Sequence, residues 1–344
     1  MITMHLLRID ASNEGRWNDY VTEHATTVTD LSGWRRVLKN TYGMQSHVIT
    51  VEEHGAIAGT LVLFEIKHPV FGHYLTTGAF ATDGGLYFDR PEAIDLLTGE
   101  ARRLADKLQV DYLLIRTRGL QIKGFLQDTH YKSAVIDLRS GEDSLWRSTL
   151  RAKTRNQVRK GINEGFTIHT GHEQVFDFYR VFSEHMRDLG SPVHSLKLYK
   201  NIIRYLGDHA RFIVVKEGKE LVAGALLLEI NGIAMNLHTV ALKKYNRRCP
   251  NYLLYWDMIK SSCERGNSVF DMGRSEAEST NLKFKTNWGA QVVELNYNYY
   301  MRNHEEVPYL DPRNPRYRWP IAIWRKLPVP LTRFLGPYLI RGIA

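Results

Sequence analysis

Cysteine is scarce in this chain of 344 residues: only Cys249 and Cys263 occur, without the spacing of a zinc site and without a companion pair for a disulfide framework. A cystine-stapled secreted domain is thereby excluded, and the expectation is a reducing compartment and no structural metal. Long apolar runs are missing too, since none reaches the roughly eighteen residues of a membrane-spanning helix. The stretch from Met1 to Tyr20 carries Asp10, Glu14 and Asp19 instead of a basic segment followed by an apolar one. A cytoplasmic protein is expected. No Gly-x-Ser-x-Gly elbow surrounds a serine and neither cysteine has a partner motif, so a covalent enzyme intermediate is not expected.

What is present is an ordinary globular composition, 43% apolar and 24% charged. The formal net charge of +9 points to an anionic partner such as nucleic acid, a phosphorylated substrate or a lipid headgroup. The cations are clustered. Arg147, Arg151, Lys153, Arg155, Arg159 and Lys160 follow one another without an intervening acid, and Arg313, Arg316, Arg318, Arg325, Lys326, Arg333 and Arg341 follow Asp311, the last acid of the chain.

The segment Val48–Ile66 resembles Phe212–Ile230 when one inserted residue is allowed. Each copy reads as strand, Gly turn, strand, with Gly55 and Gly218 in the turns and Gly59 and Gly224 opening the second strands. In both halves a helix-periodic stretch follows, Pro91–Leu108 and Asn251–Glu264, and then a strand, Tyr112–Arg116 and Ser268–Met272. The expected fold is therefore mixed α/β: two tandem domains, each a mixed central sheet flanked by helices. The expected ranges are about 1–140, about 141–305 and a Pro-rich basic tail over 306–344.

Three stretches carry candidate chemistry. Ser144–Phe166 reads as one helix with Arg147, Arg151, Arg155 and Arg159 along a single face, suited to a phosphate-bearing ligand or to plain solvation. The run Phe270-Asp271-Met272-Gly273-Arg274-Ser275 ends a strand in small residues and a cation, and the carboxyl ends of strands are where open α/β sheets bind ligands. Lys283 and Lys285 beyond it share a side if extended and diverge if helical, while Phe284 and Trp288 suit either a core or a ligand site. In Ile233–Val240, period two places Asn236 on the side of His238, a candidate general base.

Phe270–Ser275, then Phe284–Gly289 and Leu295-Asn296-Tyr297, resemble the FemAB-related proteins associated with PEP-CTERM and exopolysaccharide loci, a branch of the GNAT superfamily. Tail segments Asn314–Tyr317, Trp324–Pro328 and Leu335–Pro337 are similar to the same subfamily. The resemblance implies two GNAT-like domains and transfer of an acyl or aminoacyl group to an amine on a sugar, nucleotide-sugar or lipid-linked precursor of exopolysaccharide or cell envelope. It implies acyl-CoA, acyl carrier protein or aminoacyl-tRNA as donor, and Lys285 as the stabiliser of an oxyanion. Asp271 is a further catalytic candidate, expected either to hydrogen-bond in the loop or to organise Arg274, with Arg151, Arg155, Arg159, Asn236, Arg247, Arg248, Ser275, Lys283, Phe284 and Trp288 around donor or acceptor. Two departures stand out. Glu276-Ala277-Glu278-Ser279-Thr280 replaces the subfamily's Lys and Gly-Thr-Gly turn, and Lys243–Asn251 stands where a Gly-rich pyrophosphate loop belongs in acetyl-CoA enzymes. Other classes left open are a non-catalytic scaffold on an anionic polymer or membrane complex, and a tRNA-binding protein; DNA is not an expected partner. The tail is expected either on domain one or at an anionic membrane surface on the inner face of the cell membrane.

Overall fold

The computed structural model of the protein describes residues 4–302, 307–308 and 315–343, so Arg313 and the side chain of Arg316 lie outside the described residues. The chain forms two compact units. The first contains residues 1–131, 294–309 and 341–344, and the second contains 132–293 and 310–340.

In the first unit the order is β1 (His5–Leu7), α1 (Glu14–His24), α2 (Ser32–Tyr42), β2 (Gln45–Glu53), β3 (Ala56–His68), β4 (Gly72–Thr76), β5 (Leu86–Phe88), α3 (Glu92–Leu108), β6 (Tyr112–Arg118) and β7 (Leu126–Asp128). His54 and Gly55 both take positive φ, the geometry of a two-residue hairpin turn whose twist suits the flanking strands. After this antiparallel hairpin β4 pairs with β3, and α3 carries the chain over to β6, which lies parallel to β4. Ala93, Leu97, Ala101 and Ala105 recur every fourth residue of α3 and bury that stripe against Leu61, Leu63, Leu113 and Ile115.

The second unit repeats the plan: β8 (Tyr131–Asp137), α4 (Gly141–Ser144), α5 (Ala152–Asn163), β9 (Thr167–Thr170), α6 (Val175–Leu189), α7 (Leu196–Leu206), β10 (Ala210–Glu217), β11 (Glu220–Ile230), β12 (Ile233–Ala241), α8 (Pro250–Glu264), β13 (Val269–Glu276) and α9 (Thr280–Thr286). Its sheet runs β8-β13-β12-β11-β10-β9, with β12 and β13 paired in parallel across the α8 crossover. The hairpins of the two units carry a register shift at matching places, between Val51 and Glu52 and between Val215 and Lys216. Partners across the shift also match, Val51 with Gly59 and Val215 with Ala223.

That register corrects the sequence alignment. No residue is inserted: Gly59 corresponds to Ala223, and Gly224 is one position further on. Neither glycine opens its strand, and one step along a strand turns a residue to the other face. Gly59 lies under Leu97 and Ala93 of α3, whereas Gly224 lies under Phe178 of α6. Each glycine lets a helix approach the sheet, and the two helices are not equivalent.

Chain order and spatial order part company after α9. The strand β14 (Gln291–Met301) pairs antiparallel with β6 and β7, so from Glu294 onward it belongs to the first unit. The range expected for domain two ran through this strand because strand pairing is not a local property of sequence. The tail forms α10 (Pro315–Trp324) and α11 (Val329–Ile340), both within the second unit. The Trp324 indole donates to Ser191 O at 3.0 Å, and Gly336 sits so close to Val193 that an added Cβ would lie 2.6 Å from its carbonyl oxygen. Packing on domain one was the expected alternative; the two helices pack on the second unit instead.

Candidate active site

The parallel pairing of β12 with β13 covers only Ile233 to Met235 against Val269 to Asp271, although the strands have nine and eight residues. Beyond Met235 and Asp271 they are no longer paired, at the carboxyl ends where ligands enter such sheets. Gly273, at φ +77°, bends β13 just past the last pair. The buried Asp271 fixes that bend: its Oδ1 accepts from Gly273 N at 2.7 Å and from the Ser133 hydroxyl of β8 at 2.9 Å.

Lys285 closes the same bend from α9. Ser279 caps this helix by accepting from Leu282 N at 3.1 Å, and helical spacing turns Lys285 inward while Lys283 stays exposed. The two lysines therefore diverge. Nζ of Lys285 donates to Gly273 O at 2.7 Å and to Arg274 O at 3.0 Å. An ammonium has three donors, so one remains for a ligand. Burial pushes this group down to about 8, opposed by Asp271 and assisted by Arg274.

An aromatic wall stands behind the lysine. Phe284 meets the edges of Tyr252 and Tyr255, each with ring centroids 5.3 Å away, and Trp288 lies 5.9 Å and 5.7 Å from the same two rings. Asn236 Nδ2 donates to the Tyr255 hydroxyl at 3.1 Å, and Thr239 donates to Asn236 Oδ1 at 2.6 Å. Burial raises the Tyr255 hydroxyl to about 12, so it stays protonated. Two buried polar groups here, Ser275 Oγ and Trp288 Nε1, have no hydrogen-bond partner. Orphans of this kind are uncommon in folded proteins and mark places where a ligand or water supplies the missing bond.

His238 is not part of this constellation. A bulge in β12 pairs Leu226 with His238 but Leu227 with Asn236, leaving Leu237 unpaired. The extra residue breaks period two, so Asn236 and His238 face opposite sides, contrary to the spacing argument. Asn236 and Thr239 turn to α8, whereas His238 packs on Phe182 at 4.7 Å and Tyr199 at 6.0 Å. Burial holds the His238 imidazole down to about 4.

The basic stretch also departs from the sequence reading. Ser144–Phe166 is not one helix. A π turn (Leu145–Thr149) ends at Leu150 and Arg151, whose ψ values of 130° and 146° are extended, and α5 begins afresh at Ala152. Arg155 bridges the break by donating to Leu150 O at 2.5 Å and Trp146 O at 3.2 Å. Arg151 donates to Asn287 Oδ1 at 2.9 Å, and Arg159 lies over the Trp146 ring at 5.4 Å. Arg248 is held by Glu164 and Glu217, which push its guanidinium upward. Arg247, Arg274 and Lys283 are exposed. Sequence reasoning missed Ser133, Tyr252, Tyr255 and Asn287; the three-residue spacing of the tyrosines on α8 was the available signal.

The turn before α8 has its own chemistry. Cys249, at φ +58°, precedes Pro250, which has no N–H to offer a phosphate. Gly161 of α5 packs so tightly there that a Cβ would lie 2.8 Å from Cys249 O.

With that geometry in place, residues 147–286 match the family described as Acetyltransferase (GNAT) domain. No curated protein matches the chain. Solved structures share the fold over nearly all of it. FemX is similar at TM-score 0.64 and 15% identity, covering 87% of this chain and 98% of that one. A tandem GNAT protein from the clavulanic acid biosynthesis pathway is similar at TM-score 0.57 and 11% identity, covering 88% and 100%. L-PGS from Bacillus licheniformis is similar at TM-score 0.51 and 16% identity, covering 80% and 86%. The chain thus has a tandem GNAT fold.

Proposed function

We propose that the chain transfers an acyl or aminoacyl group from an activated ester or thioester to an amine, at the mouth where β12 and β13 part. The observation that carries this reading is Lys285: a buried ammonium anchored on Gly273 O and Arg274 O, with one donor left over at the carboxyl end of β13. The amine attacks the donor carbonyl carbon, and the carbonyl oxygen takes up the negative charge. The third N–H of Lys285 donates to that oxygen. Collapse of the intermediate expels the alkoxide or thiolate, which leaves with the proton from the attacking nitrogen. Asp271 and Ser133 act as positioning residues for the bend that carries the two carbonyls. His238 faces away from Asn236 and burial holds its imidazole down to about 4, so the proposed step does not use it.

GNAT domains use acyl-CoA as co-substrate. Here Pro250, the paired Arg248 and the close approach of α5 leave the turn before α8 poor in donors for a diphosphate, which favours acyl carrier protein or aminoacyl-tRNA as donor. Exposed Arg247, Arg274 and Lys283 suit a phosphate-bearing acceptor. Together with the resemblance of Phe270–Ser275, this supports an amine on a sugar, nucleotide-sugar or lipid-linked precursor of exopolysaccharide or cell envelope.

The test is donor binding by thermal shift with short- and long-chain acyl-CoA, acyl carrier protein and charged tRNA, followed by transfer to an amino sugar and its nucleotide form. One donor class should stabilise the wild type, by about 2.7 kcal/mol at a hundred times its Kd. The Lys285→Met variant should still bind that donor but turn over about a hundred- to a thousandfold more slowly. Full activity in a folded Lys285→Met variant would remove the lysine from the mechanism.

A further inference from the structure

A helix packed on a globular unit ordinarily turns its apolar stripe inward and its polar side to water. α11 does not. Its fully buried residues are small, Thr332 and Gly336, with Gly336 against the backbone of Val193, and beside them Arg333 reaches over the Tyr179 ring. Leu331, Phe334, Leu335 and Tyr338 point outward at the i, i+3, i+4, i+7 spacing of one helix face. Phe334 is 65% exposed and Tyr338 55%, and the two rings meet edge to face at 6.1 Å. In α10, one turn apart, Trp319 is 77% exposed and Ile323 58%. Such large apolar side chains are left in water singly on most surfaces, not as a continuous helical stripe.

The charges beside these residues decide what covers them. Arg318, Arg325 and Lys326 are exposed in and just after α10, and no acid follows Asp311 in the chain. A second copy of this surface would bring cations against cations, whereas an anionic bilayer complements both the charge and the apolar stripe. Tryptophan and tyrosine favour the headgroup region, and an amphipathic helix lies in the interface plane with its apolar face toward the acyl chains. No helix among the described residues is long and apolar enough to cross a membrane. The anchor is also stiffly mounted: Trp324 donates to Ser191 O, and Arg187 donates to Leu327 O at 3.4 Å.

We infer that α10 and α11 form a peripheral docking surface for an anionic lipid bilayer, holding the second unit against the membrane. The inference does not depend on the acyl-transfer reading, because it rests on the outward face of the tail alone.

The experiment is flotation of the full chain with vesicles of phosphatidylcholine, with or without about 30% phosphatidylglycerol. The wild type should float with the anionic vesicles, and less of it should do so at high salt. The double variant Phe334→Glu/Leu335→Glu should bind at least about tenfold more weakly, with an unchanged melting temperature because both residues are exposed. Binding left intact in the variant, or no binding by the wild type, would overturn the proposal. So would a wild-type dimer by light scattering that the variant converts to a 39.8 kDa monomer while neither floats, since the face would then belong to a second copy.

Discussion

Lys285 was legible as a candidate from its place beyond Phe270–Ser275, but sequence could not say which of Lys283 and Lys285 faces inward. The short capped helix α9 settles it. An oxyanion donor must be charged to work well, and burial has brought this ammonium to about 8. Activity should therefore fall as pH rises through about 8, and a pH–rate profile of kcat would show that limb in the wild type but not in Lys285→Met. A limb that survives the substitution would belong to another group. His238 shows the limit of period two. That spacing put Asn236 on its side, yet one unpaired residue at Leu237 turns the two to opposite faces. Bulges leave no reliable trace in a pattern of alternating residues, which is why period two misled here.

Among elements, hairpins and crossover helices were readable because their signals are local: a Gly turn, β-branched runs, and apolar residues at helical spacing. The break between the π turn and α5 was not, because Arg155, four residues beyond Arg151, looks like one more charge along a helix face. Its guanidinium instead satisfies carbonyls left open where the π turn ends. Arg155→Ala should therefore lower stability by about 1–3 kcal/mol in urea unfolding, as loss of a charged donor to backbone acceptors does. Arg159→Ala, which loses a ring contact and a bond to Asn156, should stay within about 1 kcal/mol. Gly161 gives a sharper test of packing. Alanine would improve helix propensity by about 1 kcal/mol, but its Cβ would lie 2.8 Å from Cys249 O and 3.0 Å from Leu253 Cβ. Overpacking of this kind typically costs about 1–3 kcal/mol, so the net effect of Gly161→Ala should be destabilising. A more stable variant would mean that α5 shifts freely on α8.

For the whole molecule, the duplicated plan was visible in the sequence, but the path of the chain between the units was not. The first unit is completed by a strand that arrives after the second has been built. Asn298 of β14 is fully buried, accepts from Ile122 N at 2.8 Å and donates to Ile115 O and Thr117 Oγ1 at 3.0 Å each. Tyr297 lies under the buried guanidinium of Arg116, 5.3 Å from its carbon. Without β14 those groups lose their partners, and β6 becomes an open edge that invites pairing with other chains. A fragment of residues 1–131 should consequently aggregate or lack a cooperative melt. The same fragment joined through a flexible linker to residues 294–309 should fold and melt in one transition. The linked fragment also isolates Asp30, which burial and the nearby Asp83 raise to about 8 against an unfolded value near 3.8. Between those values the folded state holds more protons than the unfolded one, so stability falls as pH rises from about 4 to about 8 and is level above that. Asp30→Asn should flatten this slope, which melting curves of the linked fragment across that range would show directly. A cooperative melt from residues 1–131 alone would make β14 an accessory to the first unit, and an unchanged slope in Asp30→Asn would move the titration to another group.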